Sequence, residues 1–272
     1  MSDEMTSILD ILANMPGDIA EGLKAAAERA KAYIAKYGVE AYEQLLDEYR
    51  RRDMEERDRK RAEEASLRRM KNSGFGKTLE EVKAFLAENS FEKFNLHEEW
   101  QRKLLERCKA FLAQDKHKWL FISGQSGAGK THLGTAVCGE LLARGYPLRY
   151  VTHRIMLNEM IASQNDESYY DVVREYGTVD VLYLDDFFKP FKNERGEVTR
   201  PTAAEVKHTF EVLNMRLVRN AITIITSERS LMEICDIDEA LGSRIKQKCG
   251  RFALDIARKP GRNYRMRDIE RI

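Results

Sequence analysis

An α/β fold, with a parallel sheet flanked by helices and a small all-helical region in front of it, is the architecture this sequence predicts. Three observations carry that expectation. Short, nearly uninterrupted apolar runs recur from residue 119 onward, each separated from the next by a stretch of helical pattern. Such runs read as strands buried on both faces, and strands alternating with helices build parallel sheets. The first seventy residues carry helical patterns only. A glycine-rich loop lies between the first apolar run and an amphipathic stretch, where α/β proteins hold phosphates.

The elements follow in order. Residues 3–15 place Ile8, Leu9, Ile11 and Leu12 at helical spacing and stop at Pro16 and Gly17. Asp18 reads as the N-cap of an alanine-rich helix over 19–37, which ends at Gly38. A third helix starts near Val39 and runs to about Lys71. Tyr42, Leu45, Leu46 and Tyr49 share one side of it, but residues 50–71 are nearly all charge of mixed sign. Such a helix survives on i,i+4 pairs and has little to bury, so it reads as an exposed connector. Asn72, Ser73, Gly74 and Gly76 break it. The expected organisation is a helical partner-binding region over 1–72 and an α/β domain over 73–272. Within the second, helices are expected over Leu79–Glu88, 98–114, 130–144, His153–Ser163 and Ala203–Arg219, with an aromatic knot at 91–94. Strands are expected over Trp119–Ser123, Leu148–Thr152, 179–184, 221–226 and 252–256. No internal repeat is present.

Composition narrows the classes. The chain has 272 residues, enough for one large domain and an appendage. Its 43% hydrophobic content fills a substantial core, and its 33% charged content makes the surface ionic. A net charge of +1 says nothing about nucleic acid, so only local clusters bear on it. Cys108, Cys138, Cys235 and Cys249 are scattered with no CxxC pair, which reads as reduced thiols of a cytoplasmic protein rather than a disulfide frame or zinc site. The N-terminus is acidic where a signal peptide would be basic, and no run approaches a membrane span, so no membrane association is expected.

Gly124, Gln125, Ser126, Gly127, Ala128, Gly129, Lys130 and Thr131 match G-x-x-x-x-G-K-[ST]. Glycines let successive backbone N–H groups turn inward onto a phosphate, and the loop opens a helix whose positive end favours an anion. Lys130 reaches the β- and γ-oxygens as a point charge, and the Thr131 hydroxyl coordinates Mg²⁺. A chance match in a chain this long has a probability on the order of 1% from residue frequencies. The flanking strand and helix, which the mechanism demands, lower it further.

The apolar run 179–184 ends in Asp185 and Asp186. A buried parallel strand delivers both acids at its C-terminal edge, where open α/β sheets bind ligands. Asp185 is expected to hold Mg²⁺, and Asp186 to orient the attacking water. Many ATPases use glutamate there; aspartate is one methylene shorter, which favours slow hydrolysis. The run 221–226 ends in Ser227 and Glu228, which would face the γ-phosphate if this strand lies beside the first. Arg244 follows in a short helix.

Together, the 124–133 segment, the Leu-Asp-Asp ending at Asp186, Thr226-Ser227-Glu228 and Ser243-Arg244-Ile245 resemble the DnaC/DnaI helicase loaders of the AAA+ ATPases, with the transposition helper IstB a close relative. The resemblance covers roughly residues 70–265. Ser90-Phe91-Glu92-Lys93-Phe94 looks like the aromatic segment found just before the ATPase core, residues 210–216 look like the helix before sensor 1, and Gly261-Arg262-Asn263-Tyr264-Arg265 looks like the terminal G-x-x-Y-R. The resemblance implies an AAA+ core binding ATP and Mg²⁺, with Walker A at Gly124–Thr131, Walker B at Asp185 and Asp186, and little or no C-terminal lid. It implies Arg244 as an arginine finger acting on a neighbouring subunit, with Lys130 and Asp186 as the other catalytic groups. The sensor 1 position departs from the common Thr-Ser-Asn: Glu228 would repel a γ-phosphate unless paired, so Ser227 would share the role. Arg265 stands where a sensor-2-like residue would.

The implied function is ATP-dependent delivery of a replicative hexameric DNA helicase onto single-stranded DNA, by a homo-oligomer assembled on ATP and DNA. The first 71 residues hold no cysteine or histidine, so they resemble the all-helical partner-binding type rather than the zinc-binding one. Candidates for DNA contact are Lys189, Lys192 and Arg195, and Arg258, Lys259, Arg262 and Arg265. Phe187, Phe188 and Phe191 would either stack on bases or pack against a helix. The alternative is an IstB-like transposition helper that remodels target DNA. A DnaA-like initiator needs a further DNA-reading domain, and a small-molecule kinase would show no DNA-stimulated turnover.

Overall fold

A computed structural model describes residues 17–114 and 119–266. The helix expected over 3–15 lies outside them. The chain divides between Glu64 and Ala65 into two compact units.

In the first unit, α1 (Gly17–Tyr37) is followed after Gly38 by α2 (Val39–Lys71), which continues into the second unit. Helix α1 is described from Gly17, and the side chain of Asp18, expected as its cap, lies outside what is described. Tyr33 meets Tyr37 and Tyr42 at ring-centroid distances of 4.8 and 6.1 Å. Helix α2 buries no residue. Pairs such as Arg52–Glu48, Arg57–Asp53 and Lys60–Glu56 run along it, each weak at this exposure because solvent screens it. Its mixed-charge face thus supports the helix without burial.

The second unit is built on a five-stranded parallel sheet, β1 (Trp119–Ser123), β2 (Leu148–Thr152), β3 (Val181–Asp185), β4 (Ile222–Ser227) and β5 (Ala253–Asp255), in the order β2-β3-β4-β1-β5. Both faces are covered. Leu120, Ile122, Val181, Tyr183 and Ile224 face α3 (Leu79–Glu88), α4 (Glu99–Leu112) and α5 (Lys130–Ala143). Trp119, Phe121, Leu182, Leu184 and Ile225 face α6 (His153–Ser163), α7 (Tyr169–Thr178), α8 (Ala203–Arg219), α9 (Leu231–Ile237) and α10 (Glu239–Cys249). Double coverage is why the strands read as continuous apolar runs. After β5 only one described 3₁₀ turn follows, Tyr264–Met266, and no helical lid is present among the described residues. No described helix is long and apolar enough to cross a membrane.

Helices α7 and α9 have no counterpart in the sequence reading. Helix α7 starts Tyr-Tyr-Asp-Val-Val, residues of modest helix propensity, and is held by burial of Val173 and Tyr176. Helix α9 has seven residues and depends on a capping box between Ser230 and Glu233. Strand β3 starts two residues later than expected; the Val179 carbonyl accepts from Arg216, and the Asp180 carbonyl accepts from both Arg216 and the Ile222 N–H.

Arg216 is fully buried on α8. Its guanidinium also donates to the carbonyls of Tyr176 and Ile222 and to Thr223 Oγ1, tying α7, α8, β3 and β4 together at the edge opposite the loops that follow β1, β3 and β4. Burial pulls its pKa down to about 9, partly offset by Asp180, so it stays charged at neutral pH. Arg216→Met leaves these acceptors without a donor. Since each orphaned buried polar group costs about 1–3 kcal/mol, the unit should lose at least roughly 3 kcal/mol in urea unfolding. A loss within 0.5 kcal/mol of zero, the order expected of ordinary surface changes, would show that water replaces the clamp.

Candidate nucleotide-binding site

The strand order sets the site. Strand β4 lies between β1 and β3, so the loop after β1, the end of β4 and the end of β3 form one edge. Between β1 and α5 the loop turns through left-handed Gly127 and Gly129, at φ of 72° and 83°. A side chain at Gly127 would strike Asn263, and one at Gly129 would strike Phe94. Helix α5 starts at Lys130 with Gly129 at its cap and no side chain accepting from its first turn. By contrast α3, α8 and α9 each carry a capping box. Helices α6 and α7 also lack a side-chain cap, but α5 alone opens out of the glycine loop, so its uncapped amides are open to a phosphate there.

Lys130 is 7% exposed and donates to the Gln125 carbonyl at 2.9 Å. Burial lowers its pKa, opposed by the charges of Glu228, Asp186 and Asp185. Asp185 is buried, and desolvation raises its pKa against the hydrogen bond donated by Thr226. Thr226 Oγ1 bonds Asp185 Oδ1 directly, and Tyr150 donates to Oδ2 at 3.4 Å. Thr131 Oγ1 lies 3.2 and 3.1 Å from the two Asp185 oxygens. Adjacent ligands of an octahedral Mg²⁺ at about 2.05 Å stand roughly 2.9 Å apart. One hydroxyl and one carboxylate so spaced fit Mg²⁺, which takes few protein ligands and completes its shell with phosphate and water.

Asp186 follows in a left-handed conformation, φ 53°, and pairs with Lys189 Nζ at 2.8 Å. Phe188 is also left-handed, φ 44°. This turn is pinned from beneath. The Phe188 N–H donates to His153 Nδ1 at 3.2 Å, which leaves Nε2 to donate to Thr209 Oγ1 at 2.8 Å, and Thr209 in turn donates to the Glu205 carbonyl. The network works only with a neutral imidazole, and complete burial pushes the His153 pKa down to about 3.

A cleft of about 520 Å³ collects these groups. Ser126–Thr131, Asp185, Asp186, Lys189 and Glu228 line it together with Phe94, Asn95, Trp100, Arg262 and Tyr264. The segment after β5 crosses the loop: Lys259 N–H donates to Gln125 Oε1 and Tyr264 N–H to the Gly127 carbonyl. Asn95 donates to the Tyr264 hydroxyl at 2.7 Å, and Arg262 stacks on Trp100 at 4.7 Å. Gly124, Gln125, Lys130, Thr131, Asp185, Asp186 and Glu228 are thus brought to one edge. Ser227 is not brought to the cleft. It is fully buried, donates to the Phe187 carbonyl at 2.7 Å and accepts from the Arg229 N–H. Arg244 stands outside the cleft, stacked on Phe210 at 4.4 Å and 3.4 Å from Asn214 Oδ1. Phe187 and Phe188 are buried against His153, so they pack in the core and do not stack on bases. Arg265 lines the cleft with Arg262. Tyr150, Trp100 and Asn95 escaped the sequence reading, which gave Thr226 only as part of a motif and Lys189 only as a DNA-contact candidate, since only the fold brings these residues near the loop.

The sequence profile described as "IstB-like ATP binding protein" matches residues 20–248, most of the chain. The chain belongs to this family. It is 34% identical to the uncharacterized protein YqaM of Bacillus subtilis (strain 168) over 57% of its own length and 49% of YqaM's. It is 35% identical to the chromosomal replication initiator DnaA of Thermoanaerobacter sp. (strain X514), over 47% of its length and 27% of DnaA's. The chain therefore spans half or less of these relatives. Its fold is that of the AAA+ loaders: the crystal structure of the DnaC helicase loader superposes with a TM-score of 0.52 at 17% identity, covering 64% of this chain and 98% of that one.

The His153 network makes this family member sensitive to acid. Its imidazole is neutral when folded and titrates near the usual 6.5 when unfolded, so the unfolded chain binds the extra proton between pH 6.5 and about 3. Stability attributable to this group is complete above pH 6.5 and falls below it, by up to roughly 1.4 kcal/mol per pH unit. Denaturant midpoints measured from pH 7.5 to 5 should fall less steeply for His153→Gln than for the wild type; equal slopes would show that the imidazole is not held neutral.

Proposed function

We propose that this chain binds ATP with Mg²⁺ in the cleft, hydrolyses it slowly, and uses the cycle to deliver a replicative hexameric helicase onto single-stranded DNA. The observation that carries the nucleotide half is the joining, at one sheet edge, of the uncapped α5 amides, buried Lys130, and Thr131 beside buried Asp185. The delivery half is supported by the loader-like fold, by the replication initiators among its sequence relatives, and by an N-terminal unit of helices with exposed Tyr37, Val39 and Tyr49.

In this reading the loop amides and Lys130 hold the β- and γ-phosphates. Thr131 and Asp185 would hold Mg²⁺, which when bound neutralises charge on the phosphate oxygens. Asp186 orients a water toward the γ-phosphorus; the bond to the β,γ-bridging oxygen breaks, giving ADP and phosphate. Glu228 lines the same cleft, where the charges of Lys130 and Lys189 compensate it. Trp100, Phe94 and Asn95 surround the nucleoside. Arg244 would complete the site of a neighbouring copy, within a homo-oligomer formed on ATP and DNA. Residues 1–72 would bind the helicase and 73–272 form the ATPase.

Titration calorimetry with ATP and Mg²⁺ tests the cradle. Wild type should bind, Lys130→Ala should not, and Arg244→Ala should bind as wild type while turnover falls by at least about tenfold, since an arginine finger is worth more than that. Tight binding by Lys130→Ala, or undiminished turnover by Arg244→Ala at high protein concentration, would remove those assignments.

The IstB-like profile favours a second reading, a transposition helper that remodels target DNA. Light scattering on the chain mixed with a replicative helicase separates the two. The loader reading expects a joint complex; failure to co-migrate with and without ATP removes it in favour of the helper.

A further inference from the structure

The turn after β3 separates two cavities. One is the nucleotide cleft. The other, of about 170 Å³, lies on the far side of the turn, bordered by α6, the following loop and Arg229. Asp186 and Lys189 line both, so their 2.8 Å ion pair stands in the partition. The end of β4 divides in the same way, with Glu228 in the cleft and Arg229 in the second cavity.

The second cavity is cationic. Arg154, Lys189, Arg200 and Arg229 line it against two acids, Asp186 and Glu205. Glu205 already accepts from Thr202 N–H and Oγ1 in the α8 cap. Arg229 donates to the carbonyls of Phe188 and Thr199, which fixes the guanidinium at the rim, and Arg154 lies over the Phe191 ring at 4.7 Å. Arg229 also feels Glu233, whose carboxyl it helps to hold below the usual range. Pockets for drug-sized molecules begin near 300 Å³, so this one suits a smaller group. Four cations against two carboxylates in the lining leave an excess of positive charge around a small space. That excess matches one phosphate group, which accepts charge-assisted bonds from several donors at once.

We propose that Lys189 is a positioning residue with two alternative partners, the Asp186 carboxylate and a phosphate group seated in the second cavity. Filling that cavity draws Lys189 across and frees Asp186 to orient water at the γ-phosphate. The inference rests on the proposed reading of the cleft as an ATPase site. Lys189 has the freedom to move, because its side chain is 39% exposed. Burial works most strongly against its charge, but the bond to Asp186 and the charges of Asp186, Glu228 and Asp185 together outweigh it, so its pKa is raised. The phosphate group belongs either to a nucleic-acid strand or to the free anion.

The test measures ATP binding and steady-state turnover for wild type, Lys189→Met and Lys189→Arg, each alone, with inorganic phosphate and with oligothymidylate. Lys189→Met should raise kcat by up to about fivefold with KM unchanged, the factor commanded by about 1 kcal/mol of a partly exposed ion pair. It should no longer respond to either anion, whereas Lys189→Arg should restore the low basal rate and the response. Stimulation of wild type by oligothymidylate alone assigns the site to a strand; stimulation by phosphate as well assigns it to the anion. The proposal is overturned if Lys189→Met turns over no faster than wild type, if it keeps the wild-type response, or if neither anion raises the wild-type rate. Loss of ATP binding by the wild type would sink the ATPase reading itself, whereas intact binding with any of those three results overturns only the role of Lys189.

Discussion

A carboxylate and an ammonium lie buried in one cleft without pairing to each other. Asp185 is bonded by hydroxyls of Thr131, Thr226 and Tyr150, and Lys130 by the Gln125 carbonyl. Burial pushes each toward its neutral form, Asp185 upward and Lys130 downward. Removing a charge from water costs several kcal/mol even after relaxation, and neutral hydrogen bonds return only part of it. A polyanion carrying a divalent cation relieves both charges together, because it brings an anion to Lys130 and a cation to Asp185. The folded chain therefore stores an unfavourable electrostatic term at one edge of its sheet, and binding selectivity follows from what can discharge it.

That term must be held by stability elsewhere. The turn carrying Asp186 and Phe188 is left-handed at both residues, a conformation that costs about 1–2 kcal/mol for a side chain with a Cβ. It persists because its backbone is fixed from three sides. The Phe187 N–H donates to the Thr226 carbonyl, the Phe187 carbonyl accepts from Ser227, and the Phe188 N–H donates to His153. At the opposite ends of the same strands, Arg216 fixes where β3 and β4 begin. The position of the Asp185 carboxylate relative to Thr131 thus depends on contacts at both ends of the sheet.

Chemistry encoded in contiguous residues was legible in the sequence; chemistry assembled by the sheet was not. The loop 124–131 announces itself because its glycines, lysine and threonine act within one turn of chain. Asp185 was legible because an apolar run ending in acids is a local pattern. Ser227 and Thr226 show the limit. The strand was found and a place beside β3 considered only as a condition, and side chains alternate along a strand, so a shift of one residue exchanges the two faces. Thr226 reaches Asp185 and Ser227 turns to the Phe187 carbonyl. Lys189, Trp100 and Tyr150 were out of reach for another reason: each meets the site across a loop or strand whose path no local pattern encodes. Likewise α7, built from tyrosine and valine, forms because α8 and the sheet bury it, and that is a tertiary cause.

On the proposed reading, Arg244 leaves the site of a single chain incomplete. On α10 it is held by a 3.4 Å contact to Asn214 and by stacking on Phe210, an interaction worth about 0.5–1 kcal/mol where it is exposed. Neither contact resists displacement, and neither directs the guanidinium toward the chain's own cleft. Meanwhile the cleft has cations of its own in Lys130, Lys189, Arg262 and Arg265. Binding thus needs nothing beyond one chain, whereas stabilising the charge that develops as the γ-phosphoryl leaves would draw on an arginine from another. If so, affinity and turnover are set by different surfaces, and assembly can change the second without altering the first.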